Sequence, residues 1–102
     1  MQKNVAVFGI LRFPPESIDA VKPNLKAFVD ATRNLDGCIA YDVAEDLFDP
    51  GLIRFSELWP DNDSLDAHLV APHIGPWREA AKKLGLMERK FTAYDIHGAR
   101  PV

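Results

Sequence analysis

The sequence predicts a single α+β domain over residues 1–102, with strands and helical regions in the order β-α-β-β-α-β. Three observations carry that expectation. At 102 residues the chain has the length of one domain. Its apolar residues switch between the alternating spacing of strands and the three-to-four spacing of helices, and proline or glycine marks the switches. Its composition, 47% hydrophobic and 26% charged, is ordinary for a chain that builds one core.

The first strand is expected over residues 5–13. One side carries Val5, Val7, Gly9 and Leu11 and the other Ala6, Phe8 and Ile10, so both faces are apolar and both call for cover. Pro14-Pro15 stops it. A helical stripe follows through Ile18, Val21, Leu25, Phe28, Val29, Thr32 and Leu35. Pro23 falls inside the stripe, where it costs about 3 kcal/mol in a straight helix. The expectation is therefore a first turn, a kink, and a main helix beginning near Pro23. Gly37 supplies a left-handed stop.

Residues 38–46 form the second expected strand, with Ile39, Tyr41 and Val43 on one side. Asp49-Pro50-Gly51 is a turn, because proline presets φ and glycine accepts a positive one. Residues 52–59 return as the third strand. Ile53, Phe55, Glu57 and Trp59 share one side, Leu52, Arg54, Ser56 and Leu58 the other. Residues 60–64 offer helix caps, and Leu65, His68 and Leu69 then share a helical face. Ala71-Pro72 interrupts it. Ile74, Trp77, Ala81 and Leu84 make a second stripe that Gly85 ends, and residues 87–98 form the last strand, with Phe91, Ala93, Asp95 and His97 on one side. This order is the split βαβ or ferredoxin-like arrangement, an antiparallel four-stranded sheet. Two helical regions cover one face of such a sheet. The other face needs a partner, and a second copy of the chain is the simplest, so a homodimer is expected.

The formal charge of −3 and pI near 5.5 give no footing for nucleic acid or an anionic membrane. No apolar run approaches the ~20 residues of a membrane span. The N-terminus leads straight into the first strand, without the pattern of a secretory leader. The lone Cys38 fits a reducing, cytoplasmic setting. Phosphate-loop, dinucleotide and nucleophile-elbow motifs are missing, and residues 51–59 lack the basic, glycine-spaced aromatic pattern of an RNA-recognition module.

The candidate catalytic residues are His68 and Glu57. His68 lies beside Leu65 and Leu69 on an apolar helical face, and histidine has the pKa for base catalysis near neutrality. The plainer reading is a half-buried histidine bonded to a backbone carbonyl. Glu57, between Phe55 and Trp59, would have its pKa raised by desolvation; the plainer reading is a pair with an arginine. Tyr41, Trp59, Phe55, His73 and Trp77 are candidates to touch a small molecule; Tyr41 and Trp59 could equally be plain core aromatics. Cys38 reads as packing. His68 and His73, five apart across a proline, do not share a helical face as an i, i+4 ligand pair would, and no metal site is expected. Asp42, Glu45, Asp46 and Asp49 surround a hairpin tip without calcium-loop spacing, as a solvated edge does.

Three segments together carry a resemblance. Asp36-Gly37-Cys38-Ile39-Ala40-Tyr41 resembles the pGC-x-x-Y segment of the antibiotic-biosynthesis monooxygenase family. Glu57-Leu58-Trp59 resembles its E-x-W signature. Ser64-Leu65-Asp66-Ala67-His68-Leu69 with Ala71-Pro72-His73 resembles its aLdaHl-x-s-pH segment. The intervals agree over nearly the whole chain. The resemblance implies a dimeric α/β barrel in which each subunit holds a pocket between sheet and helices, with His68, Glu57, Trp59 and Tyr41 at the pocket. It implies a cofactor-independent monooxygenase acting on a quinol or polyphenol with O₂, needing neither flavin, metal nor haem. The haem-degrading branch pairs a tryptophan with a histidine ten residues on; His68 and Arg78 stand there instead, so the resemblance does not extend to haem. Two alternatives stay open: an isomerase of a small phosphorylated sugar-like signal, and a non-catalytic ligand-binding or stress-response protein.

Overall fold

Prolines and glycines set most of the element ends. In the computed structural model, which describes residues 4–102, β1 (Val5–Arg12) stops ahead of Pro14-Pro15. A 3-10 turn (Pro15–Ser17) leads into α1 (Ile18–Leu35), followed by β2 (Ala40–Glu45), β3 (Leu52–Trp59), α2 (Asn62–Leu69), α3 (Ile74–Lys83) and β4 (Glu88–Asp95). Met1 to Lys3, on which the expectation about a leader partly rests, lie outside the described residues. Gly37, Gly51 and Gly85 take positive φ after α1, in the hairpin and after α3. Asp61 caps α2 by accepting from the Ser64 N–H at 2.7 Å. Among the described residues no helix is long and apolar enough to cross a membrane.

Pro23 does not delay the first helix, contrary to the expected late start: α1 is assigned without interruption from Ile18 to Leu35, with Pro23 inside it. Pro23 lies on the exposed side and forfeits one backbone bond, while Ile18, Val21, Leu25, Phe28, Val29 and Thr32 bury both halves against the sheet. The apolar stripe ends at Thr32, and Leu35 is exposed. The second and fourth strands are shorter than expected, although Ile39 already donates its N–H to the Leu58 carbonyl at 2.8 Å.

The sheet order is β2-β3-β1-β4, antiparallel throughout, as the ferredoxin-like arrangement requires. Register fixes which side chains share a row. Tyr41, Glu57, Val7 and Ala93 line up across all four strands, and Val43, Phe55, Gly9 and Phe91 form the next row. Both rows face the helices. Gly9 has a packing reason for being glycine in a central strand: a Cβ there would fall within 2.1 Å of the Phe91 ring. That opening lets Phe55 and Phe91 meet edge to face, centroids 5.1 Å apart.

The opposite face carries Ala6, Phe8 and Ile10 of β1 between Leu58 and Tyr94, with Arg54, Ser56, Lys90 and Thr92 around them. Phe8 is 56% exposed and Tyr94 53%, their rings 6.1 Å apart. The acidic hairpin is held by ion pairs, with Arg12 bidentate on Asp49 at 3.0 and 2.9 Å and Arg54 on Asp46 at 2.8 Å.

Candidate active site

Between the helix-facing rows and the helices lies a cavity of about 380 Å³. For scale, about 150 Å³ of apolar cavity suffices for benzene. Tyr41, Phe55, Glu57 and Phe91 line it from the sheet, Phe28 from α1, Leu65 and His68 from α2, and Trp77 and Arg78 from α3. Arg89 and Ala93 of β4 complete the open side.

Three helix ends converge behind its wall. Asp36 is the residue at which α1 ends, His68 occupies the last turn of α2, and His73 begins α3. The His68 Nδ1–H donates to Asp36 Oδ2 at 2.6 Å, and His73 Nε2–H donates to the same oxygen at 2.9 Å. His73 Nε2 also lies 3.1 Å from Thr32 Oγ1, whose own hydrogen goes to the Phe28 carbonyl at 2.9 Å. A carboxylate at a helix C-terminus opposes the helix dipole, and two imidazole donors offset that cost here. The Asp36 bond fixes the neutral His68 tautomer, leaving the lone pair on Nε2. Nε2 has no hydrogen-bond partner among the described residues, and no fully buried side-chain N or O lacks one, so this atom reaches the cavity. The ring is clamped by Trp59 at 4.9 Å, Tyr41 at 5.5 Å and Phe28 at 5.7 Å between centroids.

Burial drives the electrostatics. It pushes His68 below the usual histidine range, against the opposing pull of the Asp36 hydrogen bond and charge. It pushes Glu57 above the usual carboxylate range, partly offset by the Trp59 Nε1–H donated to Oε1 at 3.0 Å and by the Arg89 charge. Tyr41 is pushed far up by burial and then by Glu57, so it stays a neutral phenol. Cys38 is raised by burial, which suits packing rather than nucleophilic work.

His68, Glu57, Tyr41, Phe55 and Trp77 thus meet at one cavity. Trp59 and His73 do not line it: fully buried Trp59 braces Glu57 and His68 from behind, and His73 braces Asp36. Glu57 takes an indole rather than an arginine as its hydrogen-bond partner, and His68 takes a carboxylate rather than a backbone carbonyl. Asp36 is the functional candidate that spacing did not single out, since its partners lie 32 and 37 residues away on other helices.

The Ala71-Pro72 break also reverses one expectation. The two histidines occupy different helices, yet they converge, and with Asp36 their ligand atoms all lie within 4.8 Å of one another. These three could hold a divalent cation only by moving apart. Ligand atoms around a tetrahedral ion with bonds of 2.0–2.1 Å stand about 3.3 Å from each other, whereas 2.6 and 2.9 Å are hydrogen-bond lengths with a proton between the atoms.

The chain resembles known proteins over most of its length. A protein of Deinococcus radiodurans assigned to the antibiotic biosynthesis monooxygenases has a solved structure that matches with a TM-score of 0.89 at 32% identity, over 96% of this chain and 97% of that one. A solved structure from Mycobacterium tuberculosis matches with a TM-score of 0.82 at 26% identity, over 96% of this chain and 99% of that one. An uncharacterised Synechocystis protein is 24% identical over 92 residues, which are 90% of this chain; the match spans 63% of that longer relative. The family model for antibiotic biosynthesis monooxygenase matches residues 4–80, three quarters of the chain. With that model covering most of the chain and the Deinococcus structure matching its fold nearly end to end, the chain belongs to the antibiotic biosynthesis monooxygenase family.

Proposed function

We propose that this protein is a cofactor-independent monooxygenase that oxidises a quinol or comparable polyphenol with O₂. The observation that carries the reading is the lone pair of His68 Nε2, presented to an aromatic cavity by a tautomer that Asp36 fixes. Nε2 takes the phenolic proton, and the resulting phenolate is electron-rich enough to reduce O₂ by one electron. The second hydroxyl hydrogen-bonds to Glu57, a carboxyl whose pKa burial raises above the usual carboxylate range. Oxygen then adds to the ring. One oxygen atom stays on the product quinone, the other leaves as water, and the substrate supplies all the electrons. Aromatic walls shield the radical pair from solvent. That same lining supports an arene in preference to a sugar-like ligand.

The reading is tested by oxygen uptake on purified protein. One O₂ should be consumed per quinol, and chelators should leave the rate unchanged. His68→Gln should lower turnover by about 10²-fold or more, the usual worth of a positioned base. Glu57→Gln should lower it less, and should hold or raise the melting temperature at neutral pH, because the buried carboxylate is disfavoured there. Uptake that required added flavin or iron, or that survived His68→Gln with an unchanged pH profile, would overturn the proposal.

The homodimer belongs to the same proposal. Phe8, Ile10, Leu58 and Tyr94 form the apolar centre of the sheet face away from the helices, and a second copy would cover it. Sedimentation should give a doubled mass that Phe8→Lys reduces to that of one chain; a folded wild-type monomer at micromolar concentration counts against it.

A further inference from the structure

The cavity carries positive charge that the rest of the molecule does not ask for. The chain as a whole has a formal charge of −3, yet Glu57 is the one acid in the lining against Arg78 and Arg89. Elsewhere arginines find carboxylates: Arg12 pairs with Asp49 and Glu88, Arg33 with Asp42, and Arg54 with Asp46. Arg78 and Arg89 make no salt bridge among the described residues, a state they share with Arg100 of the C-terminal tail.

Arg89 is nevertheless oriented. Its Cζ lies 4.6 Å above the centroid of the Phe91 ring, which holds the guanidinium plane and leaves its edge donors unused. Register puts Arg89 opposite Leu11 and on the same side of β4 as Phe91 and Ala93, at the open end of the cavity. Arg78 follows Trp77 at the helical side of the same opening. The base and the acid stand deeper, on α2 and β3, against the closed wall.

We propose that the ligand is an aromatic acid: a hydroxylated ring that presents a phenolic hydroxyl to His68 and whose carboxylate is taken at the mouth by Arg78 and Arg89. This rests on the reading of the cavity as the substrate site. A planar carboxylate matches the fork of a guanidinium, and a ring between Phe28, Tyr41 and Trp77 supplies the apolar contact that a bare anion lacks. Such a ligand arrives with its orientation decided, because only one of its ends is an anion. The arginines act by binding and orienting, and the proton transfers stay with His68 and Glu57.

Calorimetric titration separates the possibilities. The probes are gentisate, hydroquinone (the same dihydroxy ring without the carboxylate) and inorganic phosphate, the charge without the ring. Gentisate should bind about tenfold or more tightly than hydroquinone at low salt, as a charge-assisted contact warrants, with phosphate weaker than gentisate. Arg78→Gln/Arg89→Gln should erase the advantage of gentisate while leaving the thermal melt unchanged, both side chains being exposed. Equal affinity for the two rings overturns the inference, as does an advantage that survives in the double variant. Phosphate binding as tight as that of gentisate, or no heat with any probe, overturns it too. Oxygen uptake distinguishes the failures. An arginine-dependent preference without O₂ consumption sinks the oxygenase and leaves the acid-binding mouth standing. Equal binding and equal oxidation of both rings do the reverse.

Discussion

β3 and β4 flank the same central strand, and each pairs with β1 along its full length, yet they live in different environments. On the helix-facing side of β3, Ile53, Phe55, Glu57 and Trp59 are all buried. On the same side of β4, Arg89, Ala93 and Asp95 are exposed and only Phe91 is half-buried. The cause is the helix layer. α1 and α2 pack over β2 and β3, whereas α3 packs against α1 and leaves β4 uncovered. The cavity is the gap so created. Its closed half holds titratable groups in fixed geometry, and its open half faces solvent.

The largest expected effect tests that contrast with one residue type. Phe55 and Phe91 occupy the same row on either side of Gly9 and touch each other, so either truncation loses that mutual contact. Phe55→Ala should cost about 3–5 kcal/mol in urea denaturation, as a core phenylalanine does. Phe91→Ala should cost about 1–2 kcal/mol, because less of its ring leaves water. Equal losses would mean that β4 is covered as well as β3.

Asp36→Asn sharpens the role of the closed half. The amide keeps the shape but removes the charge and no longer dictates the His68 tautomer, so kcat/KM should fall by about 10²-fold. The Asp36 bond and charge raise the His68 pKa against burial; their loss must move the acid limb of the pH–rate profile downward. A limb that stayed or rose would exclude Asp36 as the positioning group. Stability follows the same sign. With its folded pKa depressed, wild-type His68 contributes stability above its unfolded value near 6.5, lost as pH falls through the folded pKa. Glu57, raised, contributes below its unfolded value near 4.5 and loses that contribution as pH rises through its folded pKa.

The smallest effect belongs to the open half. Gly9→Ala would drive a methyl into the Phe91 ring, and the half-buried ring has room to turn into the cavity. The stability loss should be about 1–2 kcal/mol, with aromatic ligands weakened several-fold in calorimetry. Unchanged affinity would show that Phe91 does not bound the binding space.

Much of this was legible in the sequence because strand alternation is local. Glu57 could be placed between Phe55 and Trp59 from parity alone, and Leu65, His68 and Leu69 onto one face from helical spacing. The element order followed from prolines and glycines. Pro23 misled, because a local penalty of about 3 kcal/mol says nothing of the tertiary burial that holds the helix together across it. Asp36 escaped as a functional residue for the opposite reason. Its imidazole partners stand far off in sequence, and its role exists only once three helix ends meet. The signal was present in the Asp36-Gly37 pair, a charged residue at a helix stop where the dipole disfavours it. Trp59 and His73 look like cavity residues by type, and only the packing shows them one layer back.

The meeting at Asp36 also ties chemistry to the order of folding. The carboxylate and its two imidazoles belong to separate helices, and no one of these helices alone contains the proposed base in working form. A nascent chain with all three helices wound but not yet seated has ordinary, untautomerised histidines and an Asp36 solvated at a fraying helix end. Circular dichroism would score that chain as almost finished. The acquisition of activity should therefore lag behind the recovery of helix signal during refolding. In the native state, openings that swing α2 away should switch the protein off while leaving the amides of the sheet protected from exchange.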